Sequence, residues 1–187
     1  MKALLGVLLA SALLPATGRA VTIGLFADDQ CSLSCLAVDA GQTVSFRVAV
    51  RRDGASHYIQ GAHFSISGVP AGWSAVVVPN PSALLTWGNI FDSAGGAIAL
   101  AIPPEEDCTT LYDVSLHATT AVADVVLRVG NVDPAMWLPN CPAIVVDEPV
   151  DPPFLCVDPG QMLINPVGRC LVGLERISWG RAKATYR

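Results

Sequence analysis

Two histidines that lie near serine and aspartate are the residues best suited by type to catalysis. His63 precedes Ser65 by two positions, and His117 follows Asp113 and Ser115 at the same two-residue spacing. Side chains two apart in a strand share a face, so pairing of these two strands would assemble a Ser-His-Asp grouping that activates a nucleophile. A solvent-facing strand also carries such residues without any activity, and the chain has no Gly-x-Ser-x-Gly sequence. We therefore predict no catalytic residue and no enzyme, and keep a hydrolase as an alternative.

Tryptophan is the second residue type with a chemical use, because exposed indole rings stack on sugars. Trp73 begins an apolar strand, where burial is expected. Trp87 and Trp137 lie in turn-rich segments and are the candidate ligand-binding residues. They support a carbohydrate-binding module as a further alternative.

Metal and cofactor sites are not indicated by the motifs. Acidic pairs and triplets at 28–29, 105–107 and 147–151 could attract calcium, but none has the spacing of an EF-hand. No Gly-x-Gly-x-x-Gly or P-loop sequence occurs, so no organic cofactor is expected. Solvated acidic loops explain the carboxylates equally well.

The cysteines predict disulfides, because an even number follows an export signal. Six are present: Cys31, Cys35, Cys108, Cys141, Cys156 and Cys170. Of the fifteen pairings that six cysteines allow, we favour Cys31–Cys35, Cys108–Cys141 and Cys156–Cys170. Zinc binding is the rival, but there is no Cys-x-x-Cys and no histidine near them.

Residues 1–20 have the features of a secretory signal peptide. Lys2 precedes an apolar run that Pro15 ends, and Gly18 and Ala20 supply the small residues of a cleavage site. The run is too short to span a bilayer. We therefore expect a protein that is secreted or held in the cell envelope, with no transmembrane segment after cleavage.

Charge is distributed unevenly along the remaining chain. Residues 21–168 carry four basic and fifteen acidic side chains, whereas residues 169–187 carry five basic and one acidic. The acidic body excludes nucleic acid as the main partner, since phosphate would be repelled. The basic C-terminal tail could dock on an anionic surface, and the candidate docking residues are Arg176, Arg181, Lys183 and Arg187.

The elements that must position these residues are short strands. Val44, Phe46, Val48 and Val50 alternate with polar residues, and similar segments recur about every ten residues between Gly- and Pro-containing turns. Residues 21–168 are therefore predicted to be one antiparallel β-sandwich. Residues 60–81 are expected to form a hairpin-like unit, and 154–157 with 161–164 a terminal hairpin. Ser178 could begin a short C-terminal helix.

Three segments resemble bacterial immunoglobulin-like domains. AGQTVSFRVAV at 40–50 followed by IQGAHFSISGVP at 59–70 resembles the opening strands of cohesin-like sandwiches. VPAGWSAVVVPNP at 69–81 resembles a hairpin of the same class, and the chain from GLFAD to SWGRAKATYR is similar to short secreted bacterial proteins. The resemblance implies a fold and export but no catalytic residue. Cohesins bind dockerins, and no dockerin-contacting pattern is present here, so that partner is not carried over.

Together these observations predict a secreted, non-catalytic β-sandwich protein. We expect a structural or protein-interaction module at the cell surface or outside the cell. Its partner is expected to be a protein or a glycan outside the cytoplasm.

Overall fold

Thirteen strands form in the computed structural model, which describes residues 21–52, 58–101, 106–132, 140–146 and 154–167, and the longer ones among them alternate between buried and more exposed residues. The strands, numbered in chain order, are β1 (Val21–Phe26), β2 (Cys35–Leu36), β3 (Thr43–Arg52), β4 (Ile59–Ser67), β5 (Ser74–Pro79), β6 (Ala83–Gly88), β7 (Gly96–Leu100), β8 (Cys108–His117), β9 (Val125–Gly130), β10 (Ala143–Val146), β11 (Phe154–Cys156), β12 (Asp158–Pro159) and β13 (Gln161–Ile164). No helix occurs in these ranges, so none there is long and apolar enough to cross a membrane.

The strands are arranged in two sheets. The first has the order β12-β1-β3-β8-β5, and the second has the order β11-β10-β4-β9-β13-β2. Strand β7 pairs with β4 in the second sheet and carries β6 at its other edge. The ladders are antiparallel except for two short parallel pairings, β1 with β12 and β13 with β2. The prediction of an all-β, largely antiparallel sandwich is confirmed for the described residues.

The core lies between the two sheets. Val48 and Val50 of β3 pack with Phe64 of β4 and Leu127 of β9, all of them fully buried. Tyr112 of β8 joins the sheets directly, because its ring meets Phe64 edge-on with centroids 6.0 Å apart. Its hydroxyl donates a 3.1 Å hydrogen bond to the Ala97 carbonyl, and burial raises the pKa of Tyr112 to about 12.

The chain crosses between the sheets where a hairpin was expected. β4 belongs to the second sheet, whereas β5 pairs with β8 in the first, so the two strands do not pair with each other. The turn at Gly72 (φ 86°) is present, but Trp73 after it is buried under the end of the sandwich. Its indole N–H donates to the Thr120 carbonyl at 3.1 Å. This bond joins the start of β5 to the segment that follows β8, its partner strand in the first sheet.

The expected terminal hairpin is also wrong. β11 pairs with β10, β12 with β1, and β13 with β9 and β2, so the three segments reach different parts of the sandwich. Asn165 fixes the end of β13. Its side chain accepts from the Val38 amide at 2.7 Å and donates to the Val38 and Val122 carbonyls at 2.8 and 3.0 Å.

The favoured disulfide pairing is wrong, because cysteines close in sequence lie on different sheets. Cys31 sits on the outer face of the first sheet with Phe26 and Ala49, whereas Cys35 pairs with Leu163 in the second. Cys31 is bonded to Cys108 instead, with 5.8 Å between their Cα atoms. The β10–β11 ladder brings Cys141 to Cys156, with 5.6 Å between Cα atoms. Cys35 is also disulfide-bonded.

Several predictions concern residues outside the described ranges. These are the signal peptide at 1–20, Cys170, Trp137, the tail at 169–187 and the helix beginning at Ser178. The boundaries of the sandwich domain at 21 and 168 stay predictions as well.

The two described bridges should differ in their contribution to stability. Cys31–Cys108 closes a loop of 77 residues and Cys141–Cys156 one of 15. Loop-closure entropy then predicts losses of about 4.5 and about 3 kcal/mol when each pair is replaced by serine. Urea unfolding of the two double variants, after mapping of the bridges in a non-reducing digest, would measure both. A larger loss for Cys141/Cys156 would contradict the expectation.

Candidate functional site

A groove crosses the outer face of the second sheet where β6, β7, β4, β10 and β11 lie side by side. Residues that pair directly across neighbouring strands project to the same face. The ladders therefore define two rows across this face. The first row is Leu85, Ala99, Gly61, Val145 and Phe154. The second row is Trp87, Ala97, His63, Ala143 and Cys156.

The groove arises from the sizes of the side chains in these rows. The middle positions on β7 and β4 are small in the first row, Ala99 and Gly61, while Leu85 and Phe154 at the two ends are large. Adjacent strands are about 4.8 Å apart, so the strands that carry these large residues, β6 and β11, are separated by roughly 19 Å. The depression encloses about 400 Å³. This space is sufficient for a few apolar side chains but not for a folded domain.

The wall formed by β6 is apolar and faces solvent. Leu85 is 65% exposed and Trp87 is 50% exposed, although both belong to a strand that has no charged residue. Exposed apolar side chains beside a concave surface are typical of interaction sites. Trp87, chosen from the sequence as a ligand-binding candidate, therefore lies at the edge of this apolar groove.

His63 forms part of the groove floor. It is only 5% exposed, and both of its ring nitrogens lack a hydrogen-bond partner among the described residues. The Trp87 ring lies beside it, with centroids 6.4 Å apart and the planes tilted by 56°. Burial lowers the pKa of His63 below its usual value, because the imidazolium loses its hydration there. The expectation of a water-facing histidine is wrong, since β4 has strands on both edges and Trp87 beside it.

The residues of the hydrolase alternative are not brought together. His63 is on the second sheet and His117 on the first, so the strands that carry them are not neighbours. His117 Nδ1 lies 3.2 Å from Thr43 Oγ1, and Asp113 accepts a 3.3 Å hydrogen bond from Arg47. Asp113 and His117 are four positions apart on one strand, or roughly 13 Å.

The serines of that alternative are engaged elsewhere too. The Ser65 hydroxyl donates to the Asn131 carbonyl at 2.6 Å, and the hydroxyl oxygens of Ser115 and Ser45 lie 3.2 Å apart.

The acidic loop at 28–29 stabilises its own turn. Asp28 accepts hydrogen bonds from the amides of Ser32 and Leu33 at 2.9 and 3.0 Å, and from the Ser32 hydroxyl. Burial alone would raise the pKa of Asp28, but these hydrogen bonds outweigh it and the net shift is downward. Within the described ranges no three His, Cys, Asp or Glu residues are grouped so that they could hold a metal ion.

Sequence reasoning missed most of the groove. The small residues Ala97 and Ala99 alternate with the buried Ile98 and Leu100, so one face of β7 is apolar core and the other is nearly flat. That alternation was visible in the sequence and could have indicated a shallow face. The large residues that complete the groove, Leu85 and Phe154, are distant in the chain and meet only through the ladders.

No protein-family model matches the sequence, and no curated protein matches it either. Among solved structures the chain is similar to a cohesin module from a family 33 glycoside hydrolase of Clostridium perfringens. The two are 12% identical with a TM-score of 0.52, over 79% of this chain and 97% of that one. This likeness shows the fold alone, and the expectation of a cohesin-like β-sandwich is confirmed.

Two further solved structures are similar to this chain with lower TM-scores. The cohesin of a Coh-OlpA–Doc918 cohesin–dockerin complex from Clostridium thermocellum is 9% identical, with a TM-score of 0.49 over 78% of this chain and 99% of that one. CaCohA2 from Clostridium acetobutylicum is 15% identical, with a TM-score of 0.47 over 80% and 92%.

The buried imidazole should make stability depend on pH in a defined window. With a lowered folded-state pKa, the unfolded chain binds more protons than the folded chain once the pH falls below about 6.5. The free energy of unfolding therefore falls as the pH decreases through that value. His63→Phe should remove this component, and at pH 7.5 it should be neutral or stabilising because an unpaired polar group is lost.

Urea unfolding of the wild type and His63→Phe between pH 7.5 and 5.0 would measure the difference. Parallel pH profiles for the two proteins would contradict a buried neutral histidine.

Proposed function

We propose that this protein is a non-catalytic protein-interaction module that acts outside the cytoplasm, in the medium or in the cell envelope. Its β-sandwich binds an apolar segment of a partner protein in the groove that β6, β7, β4, β10 and β11 form. The proposed location is supported by the signal sequence at 1–20 and by the disulfides, which persist in oxidising compartments.

The observation that carries the proposal is the apolar groove. Its floor is made of small residues and His63, and its β6 wall leaves Leu85 and Trp87 exposed to water. Covering such a surface releases water from apolar area, which stabilises a complex by about 25 cal/mol for each Å². A protein segment with two or three apolar side chains would supply that cover.

A glycan is the second candidate, and one observation favours it. Trp87 presents a half-exposed ring of the kind on which sugars stack. Sugars also require hydrogen bonds to many hydroxyls, and the residues that line the groove offer only the His63 imidazole and the Trp87 indole N–H. The shortage of polar groups favours a protein partner.

The candidate hydrolase residues support no catalytic role, because each has a separate partner or lies on a different sheet.

The basic tail at 169–187 is proposed as an element that retains the protein at a surface, where its arginines and lysine would bind anions. Deletion of the tail should then shift the protein from the envelope to the medium.

A groove-filling variant would test the proposal. Ala99 faces the groove between Leu85 and Gly61. Ala99→Phe should therefore occupy the space and weaken binding by about tenfold or more, equivalent to about 1.4 kcal/mol. Val76→Phe is the matched control, because Val76 is 63% exposed on β5 of the other sheet.

The variants would be immobilised with the wild type and exposed to medium and envelope extract of the producing organism. A protein that binds the wild type and Val76→Phe but not Ala99→Phe would support the proposal. Glycan capture that Trp87→Ala abolishes would favour the second candidate. Capture that Ala99→Phe leaves unchanged would exclude the groove as the site.

A further inference from the structure

One polar side chain in the apolar groove has no partner. His63 is more than nine-tenths buried, faces the groove, and leaves both ring nitrogens unpaired among the described residues. Its direct neighbours across the ladders are Ala97 and Ala143, whose methyl groups can neither donate nor accept a hydrogen bond.

An unpaired imidazole in such a place destabilises the folded protein. A buried polar group without a partner has lost its hydrogen bonds to water and gained none in return, whereas a leucine or phenylalanine at this position would lose none. The neighbouring backbone groups take part in the ladders of β4 with β7 and β10. A partner for the ring must therefore arrive through the mouth of the groove.

We propose that His63 is the specificity-determining residue of the groove, and that it selects a partner segment carrying one neutral hydrogen-bonding group, a hydroxyl or carboxamide, among apolar side chains. This inference rests on the proposed function, in which the groove binds a protein segment.

The charges around His63 explain why the selected group is neutral. Strands β6, β7 and β10 carry no titratable residue, and His63 is the single one on β4. Strand β9, which also pairs with β4, carries Arg128 opposite Ser67, four positions along β4 from His63 or roughly 13 Å away. Beyond β10, β11 contributes Phe154, Leu155 and the bridged Cys156. A carboxylate or ammonium group brought into this groove would be buried without an opposite charge, which costs far more than burying a neutral group.

Binding should consequently weaken at low pH. A partner that covers the groove excludes solvent from the space above the imidazole, and this further disfavours the charged form of the ring. Protons bound to His63 must then leave before the segment can bind. Affinity therefore falls as the pH decreases through the pKa of His63 in the free folded protein, which lies below the usual value of about 6.5. The fall reaches about tenfold for each further unit by which binding lowers that pKa.

A phage-displayed library of random seven-residue peptides would test the inference. The full exported protein would be panned at pH 7.5 in four forms: wild type, Ala99→Phe, His63→Phe and His63→Gln. Peptides that bind the wild type but not Ala99→Phe are groove ligands. We expect them to carry one Ser, Thr, Asn or Gln between apolar residues.

The affinities of these peptides, made synthetically, would then separate the hydrogen-bonding role of His63 from the effect of its protonation. His63→Phe should weaken binding about tenfold, since the polar group of the peptide is left unpaired. His63→Gln keeps a neutral hydrogen-bonding group and should restore most of that loss. Between pH 7.5 and 5.0 the affinity of the wild type should fall, whereas the affinity of His63→Gln should not change.

Two results would overturn the inference. Groove ligands that are purely apolar, or that bind His63→Phe as tightly as the wild type, would refute the role of His63 and leave the proposed function intact. A library that yields no peptide dependent on Ala99 would refute the proposed function and the inference together.

Discussion

The groove depends on the register in which β4 pairs with β7. Gly61 lies opposite Ala99, and a Cβ built on Gly61 would come within 2.5 Å of the Ile98 carbonyl oxygen. The two backbones can approach this closely because Gly61 has no side chain. Slippage by one residue would turn Phe64 outward and His63 into the core, since side chains alternate between faces. Core packing and the shape of the outer face are thus fixed by the same pairing.

The sequence predicted where strands form better than it predicted which sheet they join. Alternation located β3 and β4 because each has one face in the core and the burial of that face leaves a local pattern. The connection from β4 to β5 also contains an ordinary turn at Gly72. The sequence of such a turn does not distinguish a hairpin, in which β5 would pair with β4, from a connection that carries β5 into the other sheet. Burial of Trp73 and its bond to Thr120 decide the outcome, and both are long-range. The prediction of disulfide partners failed for the same reason. Cys31 and Cys35 are close in sequence, but Cys31 packs against the first sheet and Cys35 belongs to the second.

The candidate site was predictable only in part. Trp87 could be selected by its type and its turn-rich surroundings, and the structure places it at the groove wall. The groove itself is a product of ladders that join residues as distant as 87, 97, 63 and 143. His63 alternates with apolar residues as a solvent-facing residue would. The sequence therefore assigned His63 to the correct outer face of the sheet but did not indicate that it is buried there. Burial on an outer face requires neighbours on both edges, and no single-sequence pattern reports them.

Two features of this face are difficult to explain by stability alone. Small residues at Ala97 and Ala99 leave apolar surface facing water, where larger residues would cover it. The unpaired imidazole of His63 adds a cost that any aliphatic side chain would avoid. Each feature disfavours the isolated folded chain, and both occur in the same two rows of the same sheet. Both costs are offset by one event, the arrival of a segment that fills the floor and brings a hydrogen-bonding group to the ring. A site that binds is therefore the simplest physical reason for both.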